Sequence, residues 1–167
     1  MSFEQLIGVQ NPQMAFDFRV RVISEIVGID TDALELRCRT ASLPDFASER
    51  IEIPYLADKV PYPGRDASTK AIDFTFWESI DSVIVTNIVA WRQLIHNPAT
   101  GIRLPKISFV GQVLTEMLDP QGNVMSTWTL HNAWPENLQQ SPLDYETNAF
   151  VQYVVTFAYD WVELVTT

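Results

Sequence analysis

FDFRVRV, residues 16–22, decides the architecture. Phe16, Phe18, Val20 and Val22 alternate with Asp17, Arg19 and Arg21, so an extended chain places the apolar side chains on one face and the charges on the other. A helix would scatter the same residues around its circumference. The run is expected as a half-buried β-strand, and other segments repeat its pattern. Leu34, Leu36 and Cys38 alternate with Glu35, Arg37 and Arg39, while Ile72, Phe74 and Phe76 alternate with Asp73 and Thr75. Residues 107–118 and 124–130 are rich in β-formers, and Asp119, Pro120, Gln121, Gly122 and Asn123 between them predict a hairpin turn. Residues 150–164 close the chain as one expected strand. Val151, Tyr153, Val155, Phe157, Tyr159 and Trp161 would share one of its faces, with Phe150, Val154 and Ala158 on the other, so it should be covered on both sides.

One segment has a different period. Ile80, Ile84, Ile88, Trp91 and Ile95 recur every three or four residues, which predicts an amphipathic helix over residues 80–96. Ser79 or Asp81 can cap its start, and Asn97 with Pro98 ends it. Its β-branched residues Val83, Ile84, Val85, Thr86, Ile88 and Val89 have modest helix propensity, so tertiary packing must hold it.

Residues 43–65 read differently again. Pro44, Pro54, Pro61 and Pro63 cannot donate to a ladder and suit edges and turns, yet Glu49, Arg50, Ile51, Glu52 and Ile53 alternate. Tyr55, Val60 and Tyr62 add apolar side chains. The segment is expected as an extended hairpin arm, and an isolated two-stranded hairpin is only marginally stable in water, so its apolar side chains should pack against something. The expected fold class is mainly β: an antiparallel, barrel-like β-sandwich with one flanking α-helix and this arm.

Composition bounds the function. The 167 residues suit a single domain, and 47% hydrophobic against 19% charged residues is more apolar than a typical soluble domain. No uninterrupted apolar stretch suggests a membrane span, and the N-terminal residues lack the pattern of a secretory signal. The formal net charge is −10, and every Lys and Arg lies at or before Lys106. Beyond it stand Glu116, Asp119, Glu136, Asp144, Glu146, Asp160 and Glu163 without a basic residue in the sequence around them. Such a chain has no basic patch for gripping phosphates and should repel nucleic acid.

Catalytic chemistry is equally thin, and no catalytic, metal-ligating or cofactor-binding residue is assigned. The two histidines, His96 and His131, stand in no metal-ligand spacing, and no nucleophile elbow, phosphate loop or dinucleotide fingerprint is present. Asp30 and Asp32 match the first positions of a calcium loop, but the glycine and the closing glutamate that such a loop needs are missing. Asp144 and Glu146 read as a solvated turn, and Cys38 as a small core residue rather than a reactive thiol.

Several segments together resemble the tail-tube family of contractile-tailed bacteriophages. They are CRTASLP at residues 38–44 leading into ERIEIPY, then NAWPENL at 132–138, SPLDYETN at 141–148, and a terminal run TFAYDWVEL. The resemblance spans about residues 15–164, with the arm sequence PYLADKVPYPGRDAS as its main departure. It implies a non-enzymatic subunit of homohexameric rings that stack on identical rings, in one tail-tube domain over residues 1–167. Its partners would be the tail sheath protein outside, tape-measure protein and DNA in the lumen without specific binding, and baseplate and tail terminator proteins, with no membrane. Ring-stacking contacts are expected at Arg50, Ile51, Ile53, Tyr55, Val60 and Tyr62, and the expected location is the virion tail, with the host cytoplasm during assembly. Two other readings compete: a tube-initiator, baseplate or secretion-type ring of the same fold, and a carbohydrate-binding β-sandwich using Trp77, Trp128, Trp134 and Trp161 as stacking faces.

Overall fold

The computed structural model describes residues 13–24, 26, 29–146 and 148–166. The opening alternation becomes strand β1, Phe18–Ile23, with Val20 and Val22 buried and Arg19 and Arg21 facing solvent. Phe16 lies ahead of the strand and is exposed. The remaining strands are β2 (Cys38–Ala41), β3 (Ser48–Tyr55), β4 (Asp58–Asp66), β5 (Ala71–Trp77), β6 (Gly111–Leu118), β7 (Val124–Gln140), β8 (Gln152–Ala158) and β9 (Trp161–Thr166). Two helices join them, α1 (Thr31–Arg37) and α2 (Val83–Ile95).

Seven strands form one antiparallel sheet in the order β1-β6-β7-β8-β5-β2, with β9 also paired to β7. Strand β7 carries the fold around its corner. Its first part, Ser126 to His131, lies between β6 and β9, and its second part, from Trp134 to Gln140, pairs with β8. Asn132 sits between the two parts with φ +55°, a left-handed conformation that asparagine tolerates better than most residues. Pro135 stands beside a register shift, where a missing ladder donor does least harm. The sheet folds over at this corner, and both halves contribute to one core.

That core joins Val20, Val22, Val113 and Leu130 from one half to Phe74, Phe76, Val155 and Phe157 from the other, with Ile84, Ile88 and Trp91 of α2 between them. Phe74 and Trp91 both meet Phe157 edge to face, at centroid separations of 5.6 and 5.8 Å. The Trp91 Nε1–H donates to the Phe109 carbonyl at 2.6 Å, so the largest buried side chain has its polar atom satisfied. The result is the expected mainly β sandwich with a flanking helix and a projecting hairpin.

Local departures have local causes. Residues 34–37, expected to extend into a strand, end α1 instead. Leu34 is fully buried while Leu36 is 79% exposed, an opposition that residues two apart show on a helix and not on a strand. Asp30 caps this helix by accepting from the Ala33 N–H at 3.1 Å, so one of the two apparent calcium-loop acids is an N-cap. Helix α2 starts three residues later than expected, and neither Ser79 nor Asp81 caps it. The buried Glu78 carboxylate does so, accepting from the N–H groups of Ile84 at 3.2 Å and Val85 at 2.9 Å. Ile80 lies outside the helix and is fully exposed. The terminal segment is two strands, broken at Tyr159 and Asp160 where the Asp160 N–H donates to the His131 carbonyl at 3.0 Å. Trp161 therefore leaves the buried face shared by Tyr153, Val155 and Phe157, and is half exposed.

Candidate functional site

The hairpin of β3 and β4 is a separate two-stranded sheet whose partners in register are Ile51 with Tyr62, Ile53 with Val60, Glu52 with Pro61, Arg50 with Pro63 and Pro54 with Lys59. Residues directly opposite share a face. The arm therefore has two unlike sides. Ile51, Ile53, Tyr55, Val60 and Tyr62 form one apolar face, each between 41 and 66% exposed. Arg50, Glu52 and Lys59 form the other with Pro54, Pro61 and Pro63, where Glu52 holds Arg50 at 3.2 Å and Lys59 at 3.1 Å. Five of the six expected contact residues are thus together, and Arg50 is on the opposite side.

The prolines also decide how the arm can be approached. They fall on alternate pairs of the ladder, the pairs whose N–H groups would point away from the partner strand. Pro61 and Pro63 remove two outward donors from β4, so that edge is a poor template for another strand. The apolar face is the usable surface.

The root of the arm is tied to the body by short polar contacts. Asp45 accepts from the Thr69 hydroxyl at 2.9 Å, the Ala67 N–H donates to the Ala47 carbonyl at 2.8 Å, and Phe46 packs on Trp128 at a centroid distance of 5.9 Å. Asp66 accepts from the Ser68 hydroxyl and N–H and sits 3.6 Å from Lys70; these partners, Ser68 foremost, hold its carboxyl below the usual range. Gly64 is closely approached, since a Cβ there would stand 3.0 Å from both the Glu49 Cβ and its carbonyl and would press on that strand.

A second apolar surface escaped the sequence reading. At the far end of β5, Trp77 and Ile80 are exposed, and so are Leu143, Tyr145 and Phe150 in the link between β7 and β8. The Glu78 N–H donates to the Val151 carbonyl at 2.9 Å and joins the two segments. The link surrounds a cleft of about 630 Å³ lined by Leu143, Tyr145, Phe150 and Val151. Its signal in the sequence was Leu143, Tyr145 and Phe150 spread among polar residues with no period to bury them.

The acidic residues beyond Lys106 are not all without partners in space. Arg19 and Arg21 flank the buried Glu116, Lys106 and Asn132 both bond Asp160, and His131 Nε2 lies 3.2 Å from Glu163. The Lys106 contact, followed by the Asn132 amide, lowers the Asp160 carboxyl below its ordinary range. Asp119 accepts from the N–H groups of Gln121 and Asn123 and so holds the β6–β7 turn. Cys38 is a strand residue whose thiol burial pushes up to about 12, which leaves it unreactive.

The four tryptophans of the carbohydrate reading do not form one platform. Trp128 packs on Phe46, Trp134 on Phe109, and Trp161 stacks on His131 at 3.7 Å. Trp134 and Trp161 line separate clefts, of about 440 and 220 Å³. Among the described residues, no group of three His, Cys, Asp or Glu side chains is placed to hold a metal ion.

Known proteins share this arrangement. The tail tube protein of Serratia phage KSP90 is 28% identical over 122 residues, which cover 72% of this chain and 68% of that protein. Two solved structures have the same fold at 18% identity. They are the tube terminating cap of the anti-feeding prophage, with TM-score 0.74 over 96% of this chain and 95% of the other, and a chain of the sheath-tube complex of an extracellular contractile injection system (PVC), with TM-score 0.70 over 100% and 99%. A family model described as phage tail tube protein matches residues 10–163. The chain belongs to the phage tail tube protein family, whose members are structural proteins and not enzymes.

Proposed function

We propose that six copies of this chain close into a ring, that rings stack into the tube of a contractile phage tail, and that the lumen of the tube conducts DNA. The observation that carries this reading is the projecting arm, whose strands pair only with each other among the described residues and leave five apolar side chains about half exposed on one face. A two-stranded hairpin cannot remain so in water without a partner. Ile51, Ile53, Tyr55, Val60 and Tyr62 make the ring-stacking interface through that face, and Arg50, on the opposite face in its ion pair with Glu52, has the lesser part in it. The strands at the ends of the sheet offer further edges, which ring closure would pair.

The whole chain acts as one tail-tube domain. A tail sheath protein is the outer partner, and baseplate and terminator proteins meet the two ends of the tube. Tape-measure protein and DNA occupy the lumen without specific binding, since a net charge of −10 per copy discourages phosphates from adhering. The protein assembles in the host cytoplasm and ends in the virion. Light scattering on the purified chain tests the ring. A mass of six times the 19.0 kDa chain, or a larger species built from that unit, is expected; a sharp monomer at high concentration would refute it.

A further inference from the structure

Between α2 and β6 the chain crosses the surface as a strap. Residues 98–108 are exposed throughout, with Ile102, Leu104 and Ile107 at 60, 39 and 86%. Both ends of the strap are pinned. The Asn97 carbonyl accepts from the Gly101 N–H at 2.8 Å, the Asn97 N–H donates to the Ile102 carbonyl at 3.0 Å, and Lys106 bonds Asp160. The strap also belongs to the cationic part of an acidic chain, since residues 82–115 contain no Asp or Glu and carry Arg92, Arg103 and Lys106. Arg92 donates to the Pro135 carbonyl at 3.1 Å and Lys106 is held by Asp160, but Arg103 has no side-chain partner among the described residues.

The link between β7 and β8 is the counterpart of the strap. Its base is closed by the Ser141 N–H donating to the Gln152 carbonyl at 2.9 Å and the Gln152 N–H donating to the Ser141 hydroxyl at 3.1 Å. Leu143, Asp144, Tyr145 and Phe150 line its cleft, and the three apolar side chains are each at least 75% exposed. The link carries Asp144 and Glu146 and no basic residue. The two surfaces lie at opposite poles. Asp160, which anchors the strap, stands just past the end of β8, the link runs into its start at Gln152, and the seven residues between put about 20 Å between them.

We propose that the strap of one copy docks on the β7–β8 link of a second copy, with Arg103 against Glu146 and the apolar side chains of both surfaces packed together. The inference rests on the reading that copies of this chain assemble, and it names a contact that does not involve the arm. Three observations carry it. The strap offers an unpaired cation and the link offers acids, in a chain whose net charge of −10 otherwise sets copy against copy. Each surface exposes three large apolar side chains, and the strand between the two poles keeps them apart within one chain, so they can cover each other only between copies. Both surfaces are also held in shape by hydrogen bonds at their bases, so docking orders little that is not ordered already. Because the surfaces differ, the contact is heterologous, and repetition of it closes a ring or runs on as a filament. Its few residues fall short of the roughly 20–30 on one side of a standard interface, so it orients neighbours and does not hold them alone.

Charge exchange in the full chain tests the pairing, with the protein concentration needed for assembly read by light scattering at low salt. Arg103→Glu and Glu146→Arg should each raise that concentration about two- to fivefold, the size expected of one exposed ion pair, and the double variant should return it close to the wild-type value. The sign of the Glu146→Arg effect is decisive, because that copy is less acidic and general repulsion alone would make it assemble more readily. Cross-linking adds a readout that leaves Arg103 and Glu146 in place. A mixture of Leu104→Cys and Tyr145→Cys chains under a mild oxidant should give dimers on a denaturing gel, while either variant alone stays monomeric. The native Cys38, its thiol pushed up to about 12 by burial, adds no background link. Links from either single variant by itself would mean that like surfaces meet and would overturn the proposal. So would Glu146→Arg chains that assemble more readily than wild type, or a double variant no better than the singles. Tubes visible by electron microscopy with no link in the mixture would overturn the pairing of strap and link while leaving the assembly reading intact. Wild-type chains that form neither rings nor tubes would remove both.

Discussion

Trp91 shows how single residues set the architecture. Its ring fills the space between α2 and both halves of the sheet, and its N–H has one acceptor, the Phe109 carbonyl. Trp91→Phe should lower stability by about 1–3 kcal/mol, because the carbonyl loses its partner and the smaller ring leaves space. Urea unfolding should show a lower midpoint with an unchanged slope. At the corner of the fold, Asp160 joins Lys106 and Asn132, and its carboxyl is lowered relative to the unfolded chain. A depressed folded value means that the contribution is complete above the ordinary aspartate value of about 4 and is lost as pH falls through the folded value. Asp160→Asn should therefore be less stable than wild type at neutral pH, with the gap closing at acid pH. Thermal melts across that range measure it. The lowered Asp160 could not have been read from the sequence, because Lys106 and Asn132 reach it only after β7 and the β8–β9 segment bend together.

At the scale of elements, long alternations and the helical stripe were legible, and short ones were ambiguous. Strand β1 and α2 follow from their periods, the β6–β7 hairpin from two β-rich runs around a turn composition, and the arm from its prolines together with the alternation at Glu49 to Ile53. Leu34, Leu36 and Cys38 do not. Two apolar residues flanking a glutamate fit a strand, but in the structure Asp30 caps a helix that buries Leu34 and leaves Leu36 outside. The arm was readable as a hairpin but the face its two strands share was not, because the pairing of Ile51 with Tyr62 depends on where the chain turns, which the structure sets by placing Tyr55 opposite Asp58. That division makes a sharp prediction. Ile51→Asp with Ile53→Asp should leave unfolding within about 0.5 kcal/mol of wild type, as expected of exposed sites, and abolish stacking. Arg50→Ala, on the opposite face, should weaken stacking only slightly, since exposed ion pairs contribute about 0–1 kcal/mol. Circular dichroism melts and sedimentation velocity on the same samples separate fold from assembly.

For the whole molecule, opposing forces govern association. Apolar surface at both poles favours contact, and a net charge of −10 on every copy opposes it. Repulsion between exposed charges acts over the Debye length, which falls from about 30 Å at roughly 0.01 M salt to about 10 Å at roughly 0.1 M. Assembly should therefore strengthen over that range, as read by light scattering at fixed protein concentration; weakening would mean that ion pairs between copies dominate. The charge asymmetry along the sequence was only partly a guide to surface charge. Glu116, Asp160 and Glu163 have partners in the folded chain, so the acidity available to a lumen is smaller than the residues beyond Lys106 suggest. The central claim is that this chain is built to repeat, ring upon ring, through an arm too apolar to stand alone. Electron microscopy of the purified protein tests that most directly: hollow tubes or six-fold rings are predicted for wild type, with no tubes for the Ile51→Asp, Ile53→Asp variant. A dispersed monomer from the wild-type chain at high concentration, with neither rings nor tubes in any field, would contradict it.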